Sequence, residues 1–198
     1  MEHKAVINSP QMEEVVTSKE FKLHVYKTIE KLEKLLDFSL QKRKMVEILG
    51  WDPEVINDVE KLYIKFLALI KSLRDFNLDI KIIPNKYIDE FWHAHILDTL
   101  KYHEDCKKIF GEYLHHFPYY GMRNEEDLAD WLENAQVCQW IWEEVFGEKL
   151  YGTLDTNEDG YILEKEFYSK LSKEFKQNKE KWAMGCRRCR TCRPTRCP

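Results

Sequence analysis

Five of the seven histidines in this chain fall between Pro84 and Gly121, among Asp89, Asp98, Asp105, Cys106 and a dense set of aromatic residues. Imidazole, carboxylate and thiol are ligands for first-row transition metals, so Zn²⁺, iron or copper is the chemistry to test for. Helical geometry limits the combinations. At roughly 100° per residue, Asp89 and His93 lie about 40° apart and share a face, whereas His93 and His95 diverge by about 160°. The run Trp92-His93-Ala94-His95 therefore cannot grip one ion from a straight helix. Two partial sets remain, Asp89 with His93 or His95 with Cys106, and either needs completing from elsewhere. His115 and His116, just before Pro118, are the nearest candidates. The competing expectation is architectural: His93, His95 and His103 bond to Asp89, Asp98 or Asp105 and fix helix packing without an ion. A Cys106 nucleophile with His95 or His103 as its base is a third option, and it also requires an orienting group.

A harder ligand set lies further on. Asp155 to Glu166 fits the twelve-residue EF-hand loop, with Ca²⁺ ligands from Asp155, Asn157 and Asp159, the Tyr161 carbonyl and a bidentate Glu166. Gly160 sits where that loop turns sharply. Phe146, Leu150 and Leu154 before the loop, and Phe167, Leu171 and Phe175 after it, recur at helical spacing and predict a helix on each side. Leu163 leaves the ninth position to water. The sequence contains no second such loop, so this one is expected to pair across a dimer or lean on the rest of the chain.

Soft ligands crowd the last stretch. Cys186, Cys189, Cys192 and Cys197 form a Cys-x₂-Cys-x₂-Cys-x₄-Cys array among five arginines, whose charge favours the thiolate. Zn²⁺ or Cu⁺ capture is the preferred expectation. A disordered basic end competes with it, as does a peptide modified after translation. Cys106 and Cys138, isolated in apolar surroundings, are expected to be small buried residues.

The elements that must position these groups read as helices. Residues 1–17 lack sustained periodicity and are expected to form a flexible arm. From Ser18, Phe21, Val25, Ile29, Leu32 and Leu36 recur at steps of three and four, and a short helical piece around Met45 to Leu49 ends at Gly50. Asp52 and Pro53 read as a helix start, followed by Val55, Val59, Leu62, Phe66, Leu69, Ile70 and Leu73 on one broad face. The run 78–84 is short and has no strand to pair with, so it is expected to be an extended connector. Asn85 caps a helix to about Leu97, Asp98-Thr99 a second one that Gly111 closes, and Asn124 a third with Leu128, Leu132, Val137, Ile141 and Val145 buried. The prediction is an all-α irregular bundle over 18–145, a single EF-hand at 146–175 and a disordered Cys/Arg-rich tail at 176–198.

Charge divides the chain in the same place. The net charge of −4 conceals a tail of +7 from Lys176 onward and a body of −11. An acidic body argues against a nucleic-acid groove on the main domain, while the basic tail suits an anionic partner. No segment has the run of about 18 apolar residues that a membrane span requires. The first residues lack the basic-then-apolar order of a secretory signal, so a cytoplasmic protein is expected.

Asp89, Trp92, His93 and His95, then Tyr102, Asp105 and Cys106, Phe110-Gly111, and Leu114-His115-His116 with Pro118 together resemble the glycine-rich domain protein family, in its short bacterial form. The similarity is strongest over about 66–121. It implies a helical domain and no particular reaction, and the chain departs from the plant members in having seven glycines and no glycine-rich tail. Function is then expected in one of two classes. The first is calcium-dependent binding of a protein partner, with Ca²⁺ re-posing residues 146–175 against the helical body. The second is a metal-dependent enzyme or metal-handling protein built on Asp89, His93, His95, Cys106, His115 and His116.

Overall fold

Polar caps and apolar stripes set the helix boundaries in the computed structural model, which describes residues 10–151, 154–156 and 162–164. Seven helices follow one another among these residues: α1 (Pro10–Thr17), α2 (Lys19–Leu35), α3 (Ser39–Glu47), α4 (Pro53–Asp75), α5 (Lys86–Ile96), α6 (Thr99–Phe110) and α7 (Glu125–Phe146). The fold is all-α. Side chains of Ser18, Asp52, Asn85 and Asn124 accept from backbone N–H groups in the first turns of α2, α4, α5 and α7. Each such cap stabilises its helix by about 1 kcal/mol. Gly111 and Gly147 end α6 and α7 in the left-handed conformation that a residue with Cβ adopts only with strain.

Packing is organised on α4. Helix α2 lies along it, α5 crosses it, α3 touches both α4 and α5, and α1 packs on α2 and α7. Tyr63, Phe66, Leu67, Leu69 and Leu73 of α4 meet Phe21, Val25 and Leu32 of α2 in the core. Phe38 stands edge-on to Phe91 at 5.2 Å and joins α5 to this layer. Burying side chains of this size contributes about 1.5–3 kcal/mol each. The buried set on α4 also includes Ile56, Ile64, Ala68 and Ser72, while Val55 is exposed, so the apolar face is broader and rotated from the expected one.

Three expectations are corrected. The arm expected over 1–17 is helical from Pro10, because Met12 and Val16 are buried against its neighbours. The apolar side of α7 runs through Ala135, Cys138, Ile141, Trp142 and Val145, and Leu128 and Leu132 are only half-buried. The helix expected to carry Phe146, Leu150 and Leu154 into the calcium loop stops at Phe146. Gly147 reverses the chain, and Leu150 and Tyr151 turn back and are buried. Strands β1 (Leu154–Thr156) and β2 (Ile162–Glu164) then pair antiparallel, with Asp155 opposite Leu163. Asn157, Asp159, Tyr161 and Glu166 lie outside the described residues, as do Cys186, Cys189, Cys192 and Cys197.

Candidate metal centre

Residues 77–84 form the expected extended connector, and together with the start of α5 and the loop after α6 they bound a cleft of about 1260 Å³. Asp89 and His93 are one turn apart on the face of α5 that lines it. His116 comes from the loop opposite. Its Nε2 stands 2.7 Å from Asp89 Oδ1, and His93 Nδ1 is 3.3 Å from Asp89 Oδ2. The two imidazole rings are tilted against each other with centroids 4.6 Å apart. One ligand atom from each of the three residues falls within 4.8 Å of the others, the convergence needed to hold a metal ion. His116 is mostly buried, with its ring edge-on to Trp92 at 4.5 Å, so one ligand is held in place by packing while His93 faces the cleft.

The loop carrying His116 is fixed at both ends. At the near end, Trp92 Nε1–H donates to the Tyr102 hydroxyl at 2.8 Å, which donates to the Leu114 carbonyl at 2.5 Å, two residues before His116. At the far end, Asp127 accepts from the backbone N–H groups of Gly121 and Arg123 and pairs with the Arg123 guanidinium. That guanidinium draws the Asp127 carboxyl down to about 2. Gly121 has φ +85°, and a Cβ there would come 2.9 Å from Trp131 Cγ, so the turn requires glycine.

A family model described as UCP032817-like matches residues 32–143, more than half of the chain and the whole of the cleft-forming segment 66–121. The chain belongs to the UCP032817-like family. Two Arabidopsis thaliana proteins, glycine-rich domain-containing proteins 2 and 1, are each 32% identical over 89 residues, which is 45% of this chain. The matched segment spans only 11% of either of those proteins. No solved structure matches the chain. Among the described residues no helix is long and apolar enough to cross a membrane.

In this UCP032817-like domain the other proposed metal ligands lie elsewhere. A break at Leu97 and Asp98 separates α5 from α6, so His95 does not continue a line toward Cys106 as a single helix would require. His95 instead points into the core, with Nε2 3.1 Å from Asp105 Oδ2 and Nδ1 3.0 Å from the Tyr63 hydroxyl. A neutral ring donating to the carboxylate and accepting from the phenol satisfies both bonds. Burial holds the His95 pKa at about 4. Lys101 completes the chain on Asp105 at 2.7 Å. Cys106 is buried beside the Tyr102 hydroxyl and the Leu114 backbone, and burial pushes its thiol up, away from the reactive thiolate. Neither His95 nor exposed His103 is bonded to it, so the nucleophile option lacks its base. His115 is exposed and packs on Tyr113 at 4.9 Å, and Asp98 accepts from Gln41 rather than from a histidine. Cys138, where Ile83 N–H meets the sulfur at 3.2 Å, is buried and raised to about 12.

Sequence alone offered no reason to single out Tyr102 as the residue that positions His116. Tyr102→Phe is expected to leave Trp92 Nε1 and the Leu114 carbonyl buried without this partner, at about 1–3 kcal/mol for each group. A urea titration followed by tryptophan fluorescence should show an earlier midpoint with unchanged slope. An unshifted midpoint would show that the hydroxyl is dispensable.

Proposed function

We propose that this protein binds a divalent first-row metal ion, Zn²⁺ or Fe²⁺, at Asp89, His93 and His116 and presents it to a small molecule in the adjoining cleft. The observation that carries this is the convergence of two imidazoles and one carboxylate on a single point of the cleft wall. Two histidines and a carboxylate leave coordination positions open, the arrangement of catalytic zinc sites and of non-haem iron sites rather than of closed structural ones. Such an ion supplies Lewis acidity and an activated water at neutral pH. Asp89 and His93 on a rigid helix, with His116 fixed by packing, provide the preorganisation that such a site needs. The test is metal content and affinity of the purified chain and of its Asp89, His93 and His116 variants. The partial identity to the glycine-rich domain proteins supports placing this chain as a short relative of them, and brings no reaction with it.

A second site, for Ca²⁺ at 155–166, is favoured by one specific observation. Pairing of Leu154–Thr156 with Ile162–Glu164 closes the intervening residues into a loop. With Asp155, Asn157, Asp159, Tyr161 and Glu166 as ligands, affinity falls between about 10⁻⁷ and 10⁻³ M. Asp155→Ala is expected to abolish the calorimetric Ca²⁺ signal, and an unchanged isotherm would remove the loop from consideration.

A further inference from the structure

We propose that the ligand of this cleft is an elongated amphiphile with an apolar body and one terminal anionic group, a carboxylate or a phosphate, whose oxygens complete the coordination of the ion. This rests on the metal site proposed above and assigns its substrate class. Two features define the class, the shape and lining of the cleft and the charge around the three ligands.

Shape comes from the connector. Seven consecutive residues, 78–84, all line the cleft, and an extended run of that length spans about 23 Å at most. The cleft is therefore a trough rather than a round hole, and its volume exceeds the roughly 300–1,000 Å³ of common small-molecule sites. Ile80 and Ile82 of the connector and Trp92, Phe117 and Trp131 from the other elements give it apolar walls. Such a trough suits a chain-like apolar body.

Charge is concentrated beside the metal ligands. Four basic side chains line the cleft (Arg74, Lys81, Lys86 and Arg123) against three acidic ones (Asp79, Asp89 and Glu112). A divalent ion would raise this balance from +1 to +3. Glu112 is taken up by Arg74 at 2.7 Å, and Asp89 by the ion itself. Lys86 precedes Asp89 by three residues and His93 by seven, which puts all three on one face of α5. On the opposite rim the Arg123 guanidinium lies 5.2 Å over the ring of Phe117, the residue after His116. An anionic group bound to the ion would thus lie between cations from two elements, and the apolar body would extend along the connector.

The test is calorimetry on the full chain, with and without Zn²⁺, using octanoate, octyl phosphate and octanol as probes. Zn²⁺ uptake is measured first and separately. The Zn²⁺ form is expected to bind both anions at least about tenfold tighter than octanol and about tenfold tighter than the metal-free form does, as one charge-assisted contact allows. Lys86→Met should weaken both anions about tenfold and leave Zn²⁺ uptake unchanged. Octanol binding as tightly as octanoate to a protein that has taken up Zn²⁺ would overturn the inference and leave the metal site standing. Anion binding that is indifferent to Zn²⁺ would overturn it too. Failure to take up Zn²⁺ at all would overturn both. Phosphatidylglycerol vesicles that displace bound octanoate would assign the anion to a lipid headgroup, and vesicles that do not would assign it to a free amphiphile, both supporting the shared chemistry.

Discussion

Replacing His116 with alanine is expected to lower Zn²⁺ affinity by at least about 100-fold, the largest effect of any single change in the cleft. Changes to groups that merely hold ligands in place cost 10–100-fold in characterised sites, and His116 is itself a proposed ligand. Removing it leaves two protein ligands on α5, one fewer than a catalytic zinc site uses. The substitution also spares the helix, because His116 sits in a loop anchored independently by Tyr102 at one end and Asp127 at the other. His115→Ala is the matched control. That neighbour is exposed against Tyr113 and offers nothing to Asp89, so its removal should leave metal binding unaltered. Chelator competition with elemental analysis measures the affinity. Thermal denaturation gives an independent reading, since metal at a thousandfold excess over Kd adds about 4 kcal/mol to the native state. The wild type should melt later on adding Zn²⁺, and His116→Ala should not. Equal affinities for the two histidine variants would refute the site.

How far the sequence disclosed this centre depends on which half is considered. Asp89 and His93 lie on a single helix whose start is marked by Asn85, so a fixed angle per residue suffices to place both on one face. The same arithmetic separates His95 from His93. It could not decide between His115 and His116, because a loop ending at Pro118 has no repeating angle. The choice is made by tertiary packing, with Trp92 receiving the ring of His116 and Tyr102 holding the Leu114 carbonyl. Cys106 failed as a ligand for a comparable reason. A helix continued from His95 would have aligned it, but the chain breaks at Leu97 and Asp98 and reorients α6. Caps at Ser18, Asp52, Asn85 and Asn124 were legible because each is a short-range interaction between a side chain and the next turn. The stop at Phe146 was not, since the apolar spacing of Leu150 suits a helix as well as a strap folded back on the bundle. Hydrogen bonds that only the fold creates decide it: Asn85 Nδ2–H to the Leu150 carbonyl at 2.9 Å, and the Tyr151 hydroxyl to the Ile83 carbonyl at 2.7 Å.

Acidification is expected to destabilise the fold through His95. The ring is 1% exposed between Tyr63 and Asp105, and burial lowers its pKa from 6.5 to about 4. Between those two values the unfolded chain binds the proton and the native chain does not, so the unfolding free energy falls as pH falls. The stabilisation is fully present above pH 6.5. It is lost through the window down to about 4, where the deficit reaches about 3 kcal/mol at 1.36 kcal/mol per pH unit. That is a large share of the 5–15 kcal/mol that holds a typical domain together. His95→Gln isolates the effect. Its amide N–H can still donate to Asp105 and its carbonyl accept from Tyr63, but it cannot take up a proton in this range. Urea unfolding at pH 7.0, 5.5 and 4.5 should show the wild type losing stability more steeply than His95→Gln, with the curves converging toward acid. Parallel curves would mean that the imidazole is not the group titrating. In that case the neutral ring bridging Tyr63 and Asp105, on which the packing of α5 against α4 and α6 depends, would have to be replaced by a protonated one.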